Sequence, residues 1–187
     1  MSELSHKQRQ SLLQVARRVV TCAVTGEPVG SFTSQDPVFN EQRGCFVTLH
    51  NQGQLRGCIG QFTPQGSLIE TLCDMAVAAT QDSRFRFNPV RPAELDQIDI
   101  EISVLSPLVR TDDPLSLELG VHGIYISHGQ AGGCFLPQVA TETGWSKEEF
   151  LSQCCSQKAG LSPDAWKDPQ VQVLLFTAEV FSEKEVL

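Results

Sequence analysis

The sequence predicts a domain of mixed α and β structure, and three stretches carry the prediction. Residues 5–24 place apolar side chains at helical spacing, and Ser5 with Gln8 fits a capping box at the start. Residues 44–60 contain two runs of β-forming residues around a short Asn-Gln-Gly turn, which predicts a hairpin. Residues 98–104 alternate apolar and polar side chains, as half-buried strands do. Helices and strands therefore both contribute to the fold.

The other elements follow in chain order. Residues 26–43 are predicted to form a long loop, and a Ser-x-x-Glu pattern at Ser67 begins a second helix that runs to about residue 79. An irregular connector over residues 82–90 leads to the 98–104 strand. The second half is predicted to contain a turn-rich stretch, a strand pair, a helical turn, a capped helix and a closing strand, over residues 106–119, 124–136, 137–143, 146–160 and 171–181.

Length and charge limit the possible functions. The 187 residues show no internal repeat or linker, so residues 1–187 are predicted to form one globular domain. The net charge of -8 disfavours broad binding to nucleic acid or to an anionic membrane. Three arginines at residues 84, 86 and 91, with phenylalanines at 85 and 87 between them, form a pattern that can bind phosphates and stack bases. Acidic residues bracket this run, so a solvated loop edge is favoured and nucleic acid remains an alternative.

The seven cysteines indicate the compartment. An odd number of cysteines without a signal peptide predicts free thiols in a reducing cytoplasm, and no apolar run is long enough to span a membrane. No metal or other cofactor is predicted, because ligand spacings such as Cys-x-x-Cys and His-Glu-x-x-His are absent. A set formed by His122, His128 and Cys134 across a hairpin is the alternative.

The strongest chemical signal is the hexapeptide Leu-Arg-Gly-Cys-Ile-Gly at residues 55–60. Strand periodicity places Arg56 and Cys58 on the same face, with Cα atoms roughly 6.5 to 7 Å apart. A nearby guanidinium favours the thiolate form, so Cys58 is a candidate nucleophile. In the alternative interpretation, Cys58 is a small buried hydrophobe, the glycines admit a packed helix and Arg56 binds a structural carboxylate.

Two further residues are candidates for proton transfer. Glu101 lies in the middle of the 98–104 strand on its polar face, where it could pair with an arginine or act as a general base. His122 lies between glycines at the entrance to a strand, where the backbone can approach a ligand closely. An exposed or salt-bridged carboxylate and an ordinary turn histidine are the respective alternatives.

The sequence resembles the AMMECR domain family, of the AmmeMemoRadiSam system protein A type. The hallmark of that family is the hexapeptide at residues 55–60, present here without change. Further motifs match in the same order at residues 44–49, 82–85, 100–105, 120–123, 136–139 and 158–161. Residues 86–88 lengthen a spacer that is shorter in the family.

The resemblance implies an α+β fold with a mixed, mainly antiparallel sheet flanked by helices, and with a smaller lobe. It also implies a cleft between two subdomains near residues 55–60. The family's association with a Memo-type protein and a radical S-adenosylmethionine enzyme implies these two proteins as partners. No reaction follows, since one fold can host many activities.

Two functional hypotheses result. In the first, the protein is an enzyme of a modification pathway, with Cys58 as nucleophile or redox thiol, Arg56 favouring the thiolate or binding an anionic group, and a proton-transfer partner. That partner is Glu101 or His122. In the second, the protein is a noncatalytic module that docks onto the Memo-type or the radical enzyme. A cysteine-bound metal carrier is a third possibility, which the cysteine spacing does not favour.

Overall fold

The computed structural model describes residues 3–187, and its strands form two separate four-stranded sheets. The first contains β1 (Cys45–Asn51), β2 (Gln54–Gln61), β3 (Ile98–Leu105) and β8 (Ala178–Ser182), in the order β2-β1-β3-β8. The second contains β4 (Val109–Thr111), β5 (Gly123–His128), β6 (Ala131–Phe135) and β7 (Gln172–Phe176), in the order β4-β7-β5-β6. The α+β prediction with mainly antiparallel pairing is confirmed.

The chain divides into two compact units. The first extends to Leu105 and includes Glu179–Leu187, and the second is Ser106–Ala178. The helices of the first unit are α1 (His6–Thr25), α2 (Leu68–Thr80) and α5 (Glu183–Val186), and those of the second are α3 (Pro137–Thr143) and α4 (Lys147–Gln153). No helix within residues 3–187 combines the length and apolarity needed to cross a membrane.

Three of these helices begin at the serines where the sequence predicts capping boxes. Ser5, Ser67 and Ser146 each accept a hydrogen bond from the backbone N–H three residues later, and a Gln or Glu side chain at that position accepts from the serine N–H. Gly26 ends α1 in the left-handed conformation, with φ at 78°. The predicted helix boundaries at residues 5–24 and from Ser67 are therefore confirmed to within one or two residues.

In the first unit, α1 and α2 cover one face of the sheet. Their buried side chains pack against alternate residues of β1 and β3. The helices contribute Leu12, Leu13, Ala16, Val19, Val20, Leu68, Leu72 and Ala76, and the strands contribute Cys45, Val47, Leu49, Ile100 and Ile102. The residues between them on β1, among them Thr48, are half-buried and lie on the opposite face. This opposite face, which also carries Cys58 and Glu101, is called the polar face below.

The predicted closing strand over residues 171–181 is wrong, because the chain leaves one sheet and enters the other at Thr177. The run of β-branched and aromatic residues is continuous there, so periodicity gives no sign of the break. The backbone N–H of Thr177 donates to Ser106 Oγ at 2.9 Å, and its carbonyl accepts from the N–H of Ser106, also at 2.9 Å. These bonds take Thr177 out of both ladders and separate β7 from β8.

Candidate functional site

A tight hairpin positions the hexapeptide at residues 55–60. Strands β1 and β2 are joined by Gln52 and Gly53, whose φ angles of 50° and 82° suit the two-residue turns that match strand twist. Opposite the end of β1 the register shifts, so that Leu49 faces Gly57 and His50 faces Leu55. Arg56 is therefore the extra residue of a β-bulge, a feature that redirects a side chain. The predicted regular alternation of Arg56 and Cys58 is interrupted at this point.

Arg56 is tied to the connector that follows α2. Its Nε and Nη2 atoms donate to the two carboxylate oxygens of Glu94 at 3.1 and 3.0 Å. The carbonyls of Asn88 and Pro89 accept from Nη1 and Nη2 at 3.1 and 3.2 Å. The hydrogen bonds from Arg56 lower the pKa of Glu94. Because the residue is only 8% exposed and its charge is balanced, Arg56 anchors the hairpin.

The two glycines of the hexapeptide allow close packing. A Cβ atom on Gly57 would lie 2.0 Å from the carbonyl oxygen of Ala79, in the last turn of α2. A Cβ atom on Gly60 would lie 2.1 Å from the ring of Phe46. Only glycine fits at either position without movement of a neighbour. The interpretation that the glycines make room for a packed helix is therefore correct for Gly57, whereas Gly60 makes room for an aromatic ring.

Cys58 is half-buried and is held through its backbone and its side chain. Its N–H donates to Asp82 Oδ2 at 3.0 Å, and its carbonyl accepts from Arg84 Nη2 at 3.0 Å. The hydroxyl of Thr48, directly opposite on β1, donates to Cys58 Sγ at 3.3 Å. The sulfur thus accepts one hydrogen bond across the β1–β2 pair.

Asp82 is the buried centre of this arrangement. Its side chain is 2% exposed and receives hydrogen bonds from the Nε and Nη2 atoms of Arg84, at distances down to 2.5 Å. These bonds, with those from the backbone of Cys58 and Arg84, lower the pKa of Asp82 to about 2 despite its burial. The same pairing raises the pKa of Arg84. Sequence reasoning missed this pair, although Asp82 also caps the turn at Ser83–Phe85, which is the kind of signal that could have found it.

Strand register brings Glu101 to the same face as Cys58. Thr48 faces Cys58 on one side and Glu101 on the other, because β1 lies between β2 and β3. Directly opposed residues of antiparallel strands share a face, and two strand spacings separate the outer Cα atoms by roughly 9.5 to 10 Å. Cys58, Thr48 and Glu101 form one half-buried line across the sheet, called the thiol row below.

The remaining predicted residue, His122, belongs to the second unit. Its Nδ1 atom accepts a hydrogen bond from the backbone N–H of Glu118 at 3.0 Å. In the neutral ring this bond fixes the tautomer, which carries its hydrogen on Nε2. The structure thus brings Cys58 and Glu101 together in the first unit and gives His122 separate surroundings.

Burial affects the titration of several of the other cysteines. Burial raises the pKa of Cys45 to about 12, and burial is also the main cause that raises those of Cys73 and Cys134 to about 11. All seven cysteines are free thiols. Across residues 3–187, no three His, Cys, Asp or Glu side chains form a group that could hold a metal ion, and the alternative set around His122 is not such a group.

The sequence matches the AMMECR1 family over residues 13–181. This chain belongs to the AMMECR1 family. A protein of Methanothermobacter thermautotrophicus is 43% identical over 188 residues, covering 96% of each chain. Protein MJ0810 of Methanocaldococcus jannaschii is 41% identical and covers 92% of this chain and 89% of its own. The crystal structure of the uncharacterised protein PH0010 from Pyrococcus horikoshii superposes with a TM-score of 0.81 at 37% identity, covering 94% of this chain and 91% of that one.

Proposed function

We propose that the polar face of the first sheet is a thiol-dependent catalytic site with Cys58 as its nucleophile. The observation that carries the proposal is the hydrogen bond from the Thr48 hydroxyl to Cys58 Sγ, within a half-buried row that continues to Glu101. Such a donor stabilises a thiolate, which is the reactive form of cysteine. Cys58 is half-buried, so the residue is not sealed within the core.

Each member of the thiol row has a separate role in this proposal. The Cys58 thiolate forms a bond to an electrophilic carbon of the substrate, and the substrate's leaving group departs with the electron pair of the bond that breaks. Thr48 stabilises the sulfur, and Glu101 gives a proton to that leaving group. Arg56 acts as a positioning residue, since its guanidinium is bound to Glu94 and to two carbonyls. His122 remains a separate candidate for proton transfer, in the second unit.

The proposed setting is a cytoplasmic modification pathway of the AmmeMemoRadiSam type. The hexapeptide and the ordered motifs around it support this setting, as does the presence of seven free thiols. In that setting the reaction of Cys58 precedes or follows a step of the Memo-type or the radical S-adenosylmethionine enzyme.

Alkylation kinetics test the thiol proposal. The full-length protein is treated with iodoacetamide at several pH values, and each cysteine peptide is followed by mass spectrometry. We expect Cys58 to react faster than Cys22, a half-buried thiol on α1, and much faster than the buried Cys45. Thr48→Val should slow Cys58 by roughly two- to tenfold, the worth of one hydrogen bond, and should leave Cys22 unchanged.

The matched control is Thr25→Val, an exposed threonine at the end of α1 whose loss should change no rate at Cys58. If Cys58 reacts only after the protein unfolds, or if Thr48→Val leaves its rate unchanged, the thiol proposal fails.

A second candidate function, a docking module, is favoured by the side chain of Phe87. This ring is 86% exposed, and the guanidinium carbon of Arg86 lies 4.6 Å from its centroid. An exposed aromatic beside an arginine has the composition of a binding hot spot. In this alternative, the partner is the Memo-type or the radical enzyme, and Cys58 has only a packing role.

Calorimetric titration with a purified Memo-type protein separates the two functions. The docking module requires Phe87→Ala to weaken binding by about tenfold or more, while Val109→Ala, an exposed apolar residue of the second unit, has no effect. Unchanged affinity in Phe87→Ala would rule out this surface as the docking site.

A further inference from the structure

A pocket of about 400 Å³ lies within the second unit, at the end of its sheet where β4 and β5 begin and β7 ends. Register places Val109 opposite Leu175 and Gly123 opposite Phe176, so the first residues of β4 and β5 flank the last residues of β7. Eight residues line the pocket: Ser106, Val109, Arg110, Thr111, His122, Leu175, Phe176 and Thr177. The volume is within the range of small-molecule sites.

The wall of this pocket is mainly apolar, with a single cation. Val109, Leu175 and Phe176 supply the apolar part. Arg110 is exposed, and its guanidinium makes no hydrogen bond or ion pair with any of residues 3–187. An arginine fork is suited to binding a carboxylate through two parallel hydrogen bonds. The pocket therefore combines a site for one negative charge with an apolar surface.

His122 supplies a second donor. Its Nδ1 atom already accepts from Glu118, so the neutral ring has its Nε2 hydrogen left to give. The glycine that follows His122 allows the Phe176 ring to form part of the pocket wall, because a Cβ atom on Gly123 would lie 2.4 Å from that ring. The Gly-Val-His-Gly stretch at residues 120–123 thus places an oriented imidazole beside a packed aromatic ring.

We infer that this pocket binds a small carboxylate that carries a short apolar chain. The carboxylate pairs with Arg110 and accepts from His122 Nε2, and the apolar chain lies against the apolar part of the pocket wall. A singly charged ligand fits better than a polyphosphate, since the pocket offers one arginine on a protein of net charge -8. The inference is independent of the thiol row, which belongs to the first unit.

Titration of the full-length protein with hexanoate, followed by NMR, tests the inference. The reporters are the methyl groups of Val109 and Leu175 and the ring of His122. We expect hexanoate to shift all three in a saturable manner, and hexanamide, which has the same chain without the charge, to bind about tenfold or more weakly. Acetate, which lacks the chain, should also bind more weakly than hexanoate.

Variants identify the cation. Arg110→Gln should weaken hexanoate binding by about tenfold or more, whereas Arg18→Gln, at an exposed arginine of α1 in the first unit, should leave it unchanged. The inference is overturned if hexanoate shifts none of the reporters, if hexanamide binds equally well, or if Arg110→Gln binds as the wild type does. It is also overturned if inorganic phosphate shifts the reporters with an affinity equal to that of hexanoate. Each of these results leaves the alkylation test of Cys58 unaffected.

Discussion

The two faces of the first sheet use the same strands in opposite ways. On the face covered by α1 and α2, alternate residues of β1 and β3 are fully buried and apolar, among them Val47 and Ile102. On the polar face, Thr48 and Glu101 are half-buried, and Ser103 is a buried polar residue. The hexapeptide on β2 contributes to both faces, because strand residues alternate in direction.

Within the six residues of the hexapeptide, this difference distinguishes the residues that pack against the rest of the fold from the residue that is proposed to react. Gly57 serves the covered face, where it admits the last turn of α2, and Arg56 serves the connector through Glu94. Within the hexapeptide, Cys58 is the residue that presents a nucleophilic atom on the polar face. The presence of the whole hexapeptide is thus explained largely by packing, while the case for catalysis rests on Cys58 and its neighbours.

The largest effect should come from filling the space at Gly57. In Gly57→Val a Cβ atom must displace the Ala79 backbone, so we expect the free energy of unfolding to fall by about 3 kcal/mol, the upper end of the usual cost of overpacking. Urea denaturation followed by circular dichroism measures the change. The control Gly30→Val, where a Cβ atom would meet nothing within 4 Å, should change stability by less than about 0.5 kcal/mol. Equal effects of the two variants would contradict the packing role.

A smaller effect should follow the loss of the Arg56 anchor. Arg56→Met leaves the Glu94 carboxylate and two carbonyls without their donor, so we expect a loss of about 2 to 3 kcal/mol. The partial exposure of Glu94 keeps the loss at the lower end for a buried pair. Lys167→Met removes the exposed pair with Asp164 and should have little effect in the same denaturation experiment. A neutral Arg56→Met would show that the bulge does not need its anchor.

The sequence predicts the local part of this picture and misses the distant contacts. Capping serines, the hairpin and the alternating strand are all set by neighbouring residues, so pattern alone finds them. Arg56, the residue at the bulge, is bound by Glu94, which is 38 residues away, and no local pattern marks this contact. Thr177, at the break between β7 and β8, is bound by Ser106, which is also distant in the sequence.

The candidate site shows the same division. The sequence places Arg56 and Cys58 beside each other and therefore assigns the nearby charge to Arg56. The folded chain binds Arg56 to Glu94 and brings Arg84 and Asp82 to the backbone of Cys58 instead. These are tertiary contacts between β2 and the connector after α2, and strand periodicity carries no information about them. The catalytic roles of Cys58, Arg56, Glu101 and His122 remain predictions.

The smallest of these effects is the contribution of Asp82 to acid stability. Its pKa is lowered to about 2 in the folded protein, below the value of about 3.9 in an unfolded chain. A depressed pKa stabilises the folded state above pH ~4, and this stabilisation is lost as the pH falls through the folded value. We therefore expect wild-type protein to lose about 2 kcal/mol more than Asp82→Asn between pH 5 and pH 2, measured by urea denaturation at each pH.

The control for this comparison is Asp164→Asn, which removes an exposed carboxylate and should leave the acid dependence close to that of the wild type. If Asp82→Asn and the wild type lose stability in parallel, then Arg84 does not hold the buried carboxylate in its charged form. The Asp82–Arg84 pair would then add no acid-dependent stability to the strand segment that carries Cys58. A steeper wild-type curve instead confirms that the Asp82–Arg84 pair holds the strand segment that carries Cys58.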